Sequence, residues 1–163
     1  MKMEKAKVYF TDFRTQAYGD GLTTKLQKML KKAGITPQVI DNPHGCSSID
    51  IGYALSRKLF ANGCSATAIF ASTDSMALGV LQAADEYGIS VPEDISLLGF
   101  DNIIYSALPK IELSTIDQRK QLLAEATVDL LTRIIDSVAQ DESTHRMIRP
   151  TLVSRSSCRA PKK

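Results

Sequence analysis

The stretch from Thr67 to Asn102 constrains this chain more than any other part of it. Residues 68–71 (Ala-Ile-Phe-Ala) form an apolar run of strand length, and Ser72, Thr73 and Asp74 follow with oxygens suited to capping a helix. Met76, Leu78, Val80, Leu81 and Ala84 then recur at helical spacing until Gly88 stops the pattern. Pro92 marks a turn, and residues 95–100 are a second buried run closed by Asp101 and Asn102. Two apolar strands joined by one crossover helix pair in parallel. Polar residues fall just past the carboxyl end of each strand, where open α/β sheets take their ligands.

The preceding residues repeat this period. Residues 6–10 predict a first strand, 11–21 a polar loop, and Leu22, Leu26, Met29 and Leu30 an amphipathic helix with Lys25, Lys28, Lys31 and Lys32 on its wet side. Residues 37–41 predict a second strand and 42–48 a second loop. Ile49, Tyr53, Ala54, Leu55, Leu59 and Phe60 mark the next helix, ended by Asn62 and Gly63. The expected fold class is α/β: a doubly wound, mainly parallel sheet with helices on both faces and right-handed crossovers. After Asp101 the pattern changes. Pro109 breaks residues 103–114, and 113–118 form a short extended segment. Leu122, Leu123, Ala126, Leu130, Leu131 and Ile134 make a strongly amphipathic helix, residues 147–153 one or two strands, and 156–163 a frayed end.

The composition excludes several classes of function. A chain of 163 residues supplies one domain with a proper core, and a net charge of +2 is too small to argue for nucleic acid as a direct partner. No apolar run is long enough to span a membrane, and the first residues lack the apolar core of a signal peptide, so the expected location is the cytoplasm. Cys46, Cys64 and Cys158 are odd in number and far apart, which argues against a disulfide framework or a zinc site. Gly19 and Gly21 lack the third glycine of a phosphate loop, and neither a GxSxG elbow nor an HExxH pair is present. No cofactor and no metal is expected.

Two carboxylates remain. Asp74 and Asp101 both follow strand ends, a placement that in a phosphoacceptor or phosphatase would hold magnesium. Asp74 has a simpler role as cap of the helix it opens. Asp101 has no helix to cap, and a carboxylate at the mouth of a cleft accepts hydrogen bonds from ligand hydroxyls or N–H groups. Of the two histidines, His145 reads as a surface residue and His44 lies in a loop at the expected binding edge.

Three blocks carry a family resemblance. Phe70-Ala-Ser-Thr-Asp-Ser-Met-Ala-Leu-Gly79, Gly88-Ile-Ser-Val-Pro-Glu-Asp-Ile-Ser-Leu-Leu-Gly-Phe-Asp-Asn102 and Leu113-Ser-Thr-Ile-Asp-Gln118 resemble, in order and spacing, the effector-binding core of the lactose repressor family of bacterial transcription regulators. Gly52-Tyr53 fits the same pattern, and the resemblance runs over roughly residues 6 to 158. It implies the C-terminal subdomain of a type I periplasmic-binding-protein-like core, a small-molecule effector, a homodimer, and no catalysis. It also implies DNA contact only through a helix-turn-helix headpiece that this sequence does not show. Residues 1–158 are then the effector-binding core, with 159–163 a disordered tail. The helix over about 119–137 would pack on an N-terminal subdomain missing here, so its apolar stripe must be buried against a second copy or against the C-terminal subdomain itself.

The residue roles implied by the resemblance are as follows. Asp101 matches an aspartate that binds sugar hydroxyls or purine, Thr73 a position that contacts sugar hydroxyls, and Gln118 a crossover residue lining the cleft. A first-loop arginine position falls on Leu22, with Arg14 and Gln16 as substitutes. A stacking aromatic position falls on Ser47, so that platform is lost unless His44 fills it. These departures favour a polar ligand, a sugar or nucleoside, over a planar one. The dimer face implied comprises Met76, Leu78, Leu81 and Gln82 with Ser106 and Pro109. The alternative on the same fold is a sugar-binding lobe of a transport or chemotaxis protein.

Overall fold

The computed structural model describes residues 8–11, 22–40, 46–136 and 146–160. In chain order these form β1 (Val8–Thr11), α1 (Leu22–Lys32), β2 (Gln38–Ile40), α2 (Ile49–Ala61), β3 (Ala68–Phe70), α3 (Asp74–Glu86) and β4 (Ser96–Phe100). A single 3₁₀ turn (Ile104–Ala107), β5 (Ser114–Asp117), α4 (Lys120–Ile135) and β6 (Thr151–Val153) follow. The strands make one six-stranded sheet in the order β2-β1-β3-β4-β5-β6. Every pairing is parallel except β5 with β6. The chain steps one way from β1 to β2 and the other way from β2 through β3 to β4. Right-handed crossovers therefore put α1 on one face and α2 with α3 on the opposite one. The reversal lies between β1 and β3, which makes the carboxyl ends of those strands the switch point of the sheet.

The core sits between the sheet and the α2–α3 pair. Ile69 of β3, Leu97 of β4 and Leu113 meet Phe60 of α2 and Met76, Ala77, Val80, Ala83 and Ala84 of α3, all buried. The small residues have a steric reason. A Cβ on Gly52 would collide with the backbone of Met76, and one on Gly79 with the backbone of Ile49 and Tyr53, so the two helices cross in backbone contact. Gly88, with φ +65°, ends α3 in the left-handed region that glycine enters without a Cβ penalty.

One expectation is corrected here, and one of two alternatives drops out. The end of the chain is not frayed from residue 156. Ser157 is buried, its hydroxyl donates to Leu97 O (2.6 Å) and accepts from Ser114 N–H (2.8 Å), and its carbonyl accepts from Leu97 N–H (2.8 Å). Those bonds satisfy backbone groups on β4 and β5, so the segment belongs to the sheet edge. Second, α4 does not fold back onto the subdomain. None of its residues is buried, and Leu123, Val128, Leu131, Ile134 and Ile135 are all exposed, Ile135 by 77 %.

Candidate functional site

The loop after β4 organises the carboxyl edge of the sheet. Asp101 and Asn102 both take left-handed backbone conformations, with φ 117° and 51°. Such angles are uncommon outside glycine, and Asp and Asn are the side chains that best tolerate them. Asp101 N–H still donates to Ile116 O at 2.9 Å, so the turn leaves the sheet without abandoning β5. The Asp101 carboxylate accepts from Gln118 Nε2 at 2.5 Å and is half-buried at the strand end. Burial pushes its pKa up, and the carboxylate of Asp74 adds to that, against the opposing pull of the Gln118 hydrogen bond and Lys120. The structure thus brings together two of the residues named from sequence, Asp101 and Gln118. Gln118 uses its amide N–H₂ on Asp101, which leaves its amide oxygen to accept from a third group.

Asp74 is not the helix cap. Thr73 holds that position, with extended backbone and a side-chain oxygen accepting from Met76 N–H at 3.2 Å. Asp74 begins α3 one residue later, fully buried, with both oxygens taken. One accepts from Ile103 N–H (2.9 Å) and Ser106 Oγ (2.6 Å), the other from Thr115 Oγ1 (2.6 Å). The three donors lie in the loop after β4 and in β5, so Asp74 sets the path of the chain directly beyond Asp101. Gly99 makes room for this carboxylate, since a Cβ there would collide with it. Three donors on two oxygens take up most of the acceptor capacity of Asp74. No group of three potential metal-ligating side chains occurs among the described residues.

The remaining residues named from sequence fall out unevenly. Thr73 has given one lone pair of its hydroxyl to the cap, which leaves the hydroxyl hydrogen and a second lone pair. Ser47 is half-buried and precedes Ser48, the N-cap of α2, whose side chain accepts from Ile51 N–H at 3.3 Å. Arg14, Gln16 and His44 lie outside the described residues.

On the dimer face, Met76 and Ser106 are corrections: both are 0 % exposed. Met76 faces the core, and Ser106 is turned inward by its bond to Asp74. Leu78 and Leu81 are half-buried, and Gln82 and Pro109 exposed. The two leucines line an open groove of about 620 Å³ that Ile89, Val91, Lys110 and Ile111 complete. Ile104, Tyr105 and Leu108, exposed by 82, 57 and 45 %, belong to the loop that holds Ser106. Leu108 lies in the segment around Ser106 to Pro109 that the resemblance assigns to the dimer face; Ile104 and Tyr105 were passed over because a single 3₁₀ turn has no period to betray an outward face.

Asn102, Asp117 and Arg155 were also missed. Asn102 donates from Nδ2 to Asp117 (3.2 Å) and accepts at Oδ1 from Arg155 (2.8 Å), and its carbonyl accepts from Lys120 Nζ (3.2 Å). The Asp-Asn pair directly after a strand was the available signal, because two such residues in succession suit a left-handed turn.

Comparison with known proteins agrees with this fold. The family model described as periplasmic binding protein-like domain matches residues 5–158. The "HTH-type transcriptional repressor PurR" of Edwardsiella ictaluri is 34 % identical over 139 residues, 85 % of this chain and 40 % of that protein. The "HTH-type transcriptional regulator MalR" of Clostridium butyricum is 41 % identical over 92 residues, 56 % of this chain and 27 % of that protein. Among solved structures, a dimeric lac repressor with a C-terminal deletion superimposes with a TM-score of 0.85 at 25 % identity, covering 98 % of this chain and 58 % of the repressor chain. A LacI-family regulator from Corynebacterium glutamicum gives a TM-score of 0.77 at 26 % identity, covering 96 % and 59 %. The chain spans well under half the length of the curated relatives it matches. On the family match, the chain belongs to the periplasmic binding protein-like family, and the relatives it is similar to are described as HTH-type and LacI-family transcriptional regulators.

Proposed function

We propose that this chain is the effector-binding and dimerising part of a DNA-binding transcriptional regulator that acts in the cytoplasm, and that it catalyses no reaction. The observation that carries the reading is the Asp101–Gln118 pair, half-buried at the carboxyl end of β4 on a regulator-type sheet. A carboxylate with one oxygen held by Gln118 presents its other to a ligand hydroxyl or N–H, and the Gln118 amide oxygen is a second acceptor beside it. The Thr73 hydroxyl supplies a donor. Two acceptors and one donor favour a sugar or nucleoside. DNA contact belongs to a helix-turn-helix unit outside the matched part of the relatives, whose names describe them as HTH-type regulators. Those relatives weigh the reading toward a regulator and against a transport lobe.

Calorimetric titration with lactose, maltose, adenosine and hypoxanthine tests the ligand reading. Saturable one-to-one binding of at least one, with Kd of about 10 µM to 1 mM, is the expected result. A folded protein that binds none of the four, in buffers with and without magnesium, overturns it.

The dimer has a separate test. Leu78→Asp replaces one of the two leucines that line the groove beside α3 with a charge, and sedimentation equilibrium is expected to show self-association weakened by about tenfold or more. Wild-type protein that sediments as a monomer at high concentration would rule the face out.

A further inference from the structure

The sheet edge carries a device that neither ligand contact nor core packing accounts for. β5 and β6 are antiparallel neighbours, with Asp117 opposite Thr151. The chain therefore leaves the sheet after Asp117 and returns before Thr151 at the same end, and everything between, α4 included, is an excursion held by two adjacent segments. Arg119, with φ 57°, makes the outward bend, fixed by its N–H donating to Asp117 Oδ1 at 2.6 Å. On the return side Arg155 donates to Leu113 O at 2.5 Å, and its backbone N–H and carbonyl both bond the Ser114 hydroxyl, at 2.9 and 3.1 Å.

Asn102 touches both segments. Its Nδ2 meets the Asp117 carboxylate, which only accepts, and its Oδ1 meets the Arg155 guanidinium, which only donates. The amide therefore has one orientation, and no side chain with two like ends can replace it. Its backbone is engaged as well, N–H to Thr115 Oγ1 at 3.3 Å and carbonyl from Lys120 Nζ. Thr115 Oγ1 in turn donates to Asp74, so the buried carboxylate, the left-handed turn and both segments form one connected network. Asp101 is the adjacent residue of the same turn, and a shift of one left-handed residue moves the other.

We propose that Asn102 is a positioning residue, a latch that fastens the outgoing segment at Asp117 and the returning segment at Arg155 to the end of β4, so that a ligand on Asp101 governs the set of both. The coupling to a ligand rests on the effector reading above; the latch does not.

Hydrogen exchange tests the two parts separately, with β3 amides as internal reference. In ligand-free protein, Asn102→Gly keeps the left-handed turn and removes the side chain. Amides of 117–119 and 152–155 are expected to exchange about tenfold faster or more, with 68–70 unchanged. Asn102→Asp keeps the shape and the bond to Arg155 but sets a carboxylate against Asp117, so only 117–119 should open. Unchanged exchange in both variants, or an equal rise at 68–70, overturns the latch. In the second arm, lactose and adenosine are added at saturation to wild type and Asn102→Gly, with binding followed by calorimetry. A bound probe is expected to slow exchange in both segments of wild type and in neither segment of Asn102→Gly. Equal slowing in the variant overturns the coupling. If neither of these probes, nor maltose or hypoxanthine, binds wild type, the effector reading fails while the ligand-free arm still decides the latch.

Discussion

Replacing Asp74 by alanine is expected to lower the unfolding free energy by about 3–5 kcal/mol, measured by urea denaturation. The magnitude follows from what the substitution leaves behind. Three donors, Ile103 N–H and the hydroxyls of Ser106 and Thr115, converge on this carboxylate, and Ser106 and Thr115 are themselves 0 % exposed. Unpaired buried donors cost about 1–3 kcal/mol each, partly relieved when hydroxyls rotate to new acceptors. A loss on this scale is a large share of the ~5–15 kcal/mol that holds a typical domain together. Asp74→Asn should cost less, because one amide oxygen replaces one acceptor and the Thr115 hydroxyl can turn to accept from the amide. The alternative role, a negative charge or cap favouring a helix N-terminus, is worth at most about 2 kcal/mol. A measured loss below that for the alanine variant would return Asp74 to the cap reading and remove it as the support of the Asp101 turn.

Asp74 also shows where sequence reasoning stops. Ser72, Thr73 and Asp74 are all competent caps, and the identity of the cap depends on which residue takes extended backbone before the helix begins. That choice is made by tertiary contacts more than thirty positions downstream, which no local pattern contains. The sheet and its crossovers were legible because each strand is an apolar run closed by polar residues, and each helix keeps its period through Leu, Ala and Met. Asp101 was legible because a carboxylate after a strand with no helix to cap needs another explanation. The buried faces of Met76 and Ser106 were not, since assigning them to the dimer treated α3 and the following loop as outward surfaces. Backbone contact between α2 and α3 at Gly52 and Gly79 turns Met76 inward instead. The end of the chain misled for a related reason: Ser157 looks like tail chemistry, and only its pairing with Leu97 and Ser114 makes it part of the sheet.

Asp101→Asn is expected to move binding and stability in opposite directions. Folding raises the pKa of Asp101, first through burial and then through the Asp74 charge, so the folded protein holds that proton more tightly than the unfolded chain does. The ionised carboxylate therefore opposes folding. Its stabilising, protonated form is fully present below the ordinary carboxylate range, and stability is lost as pH rises through the raised value. At neutral pH the asparagine variant escapes this cost while its amide oxygen still accepts from Gln118. Because solvent reaches a half-buried group, the gain is small and is read as a slight rise in melting temperature. Binding should respond the other way and more strongly. Loss of a charge-assisted bond to a ligand hydroxyl or N–H costs about 1.5–3 kcal/mol, a roughly tenfold to hundredfold weaker Kd by calorimetry. A residue kept only for the fold would not be charged in a place where charge destabilises. A variant that melts lower than wild type and binds equally well would make Asp101 a structural residue and leave the effector without its main contact.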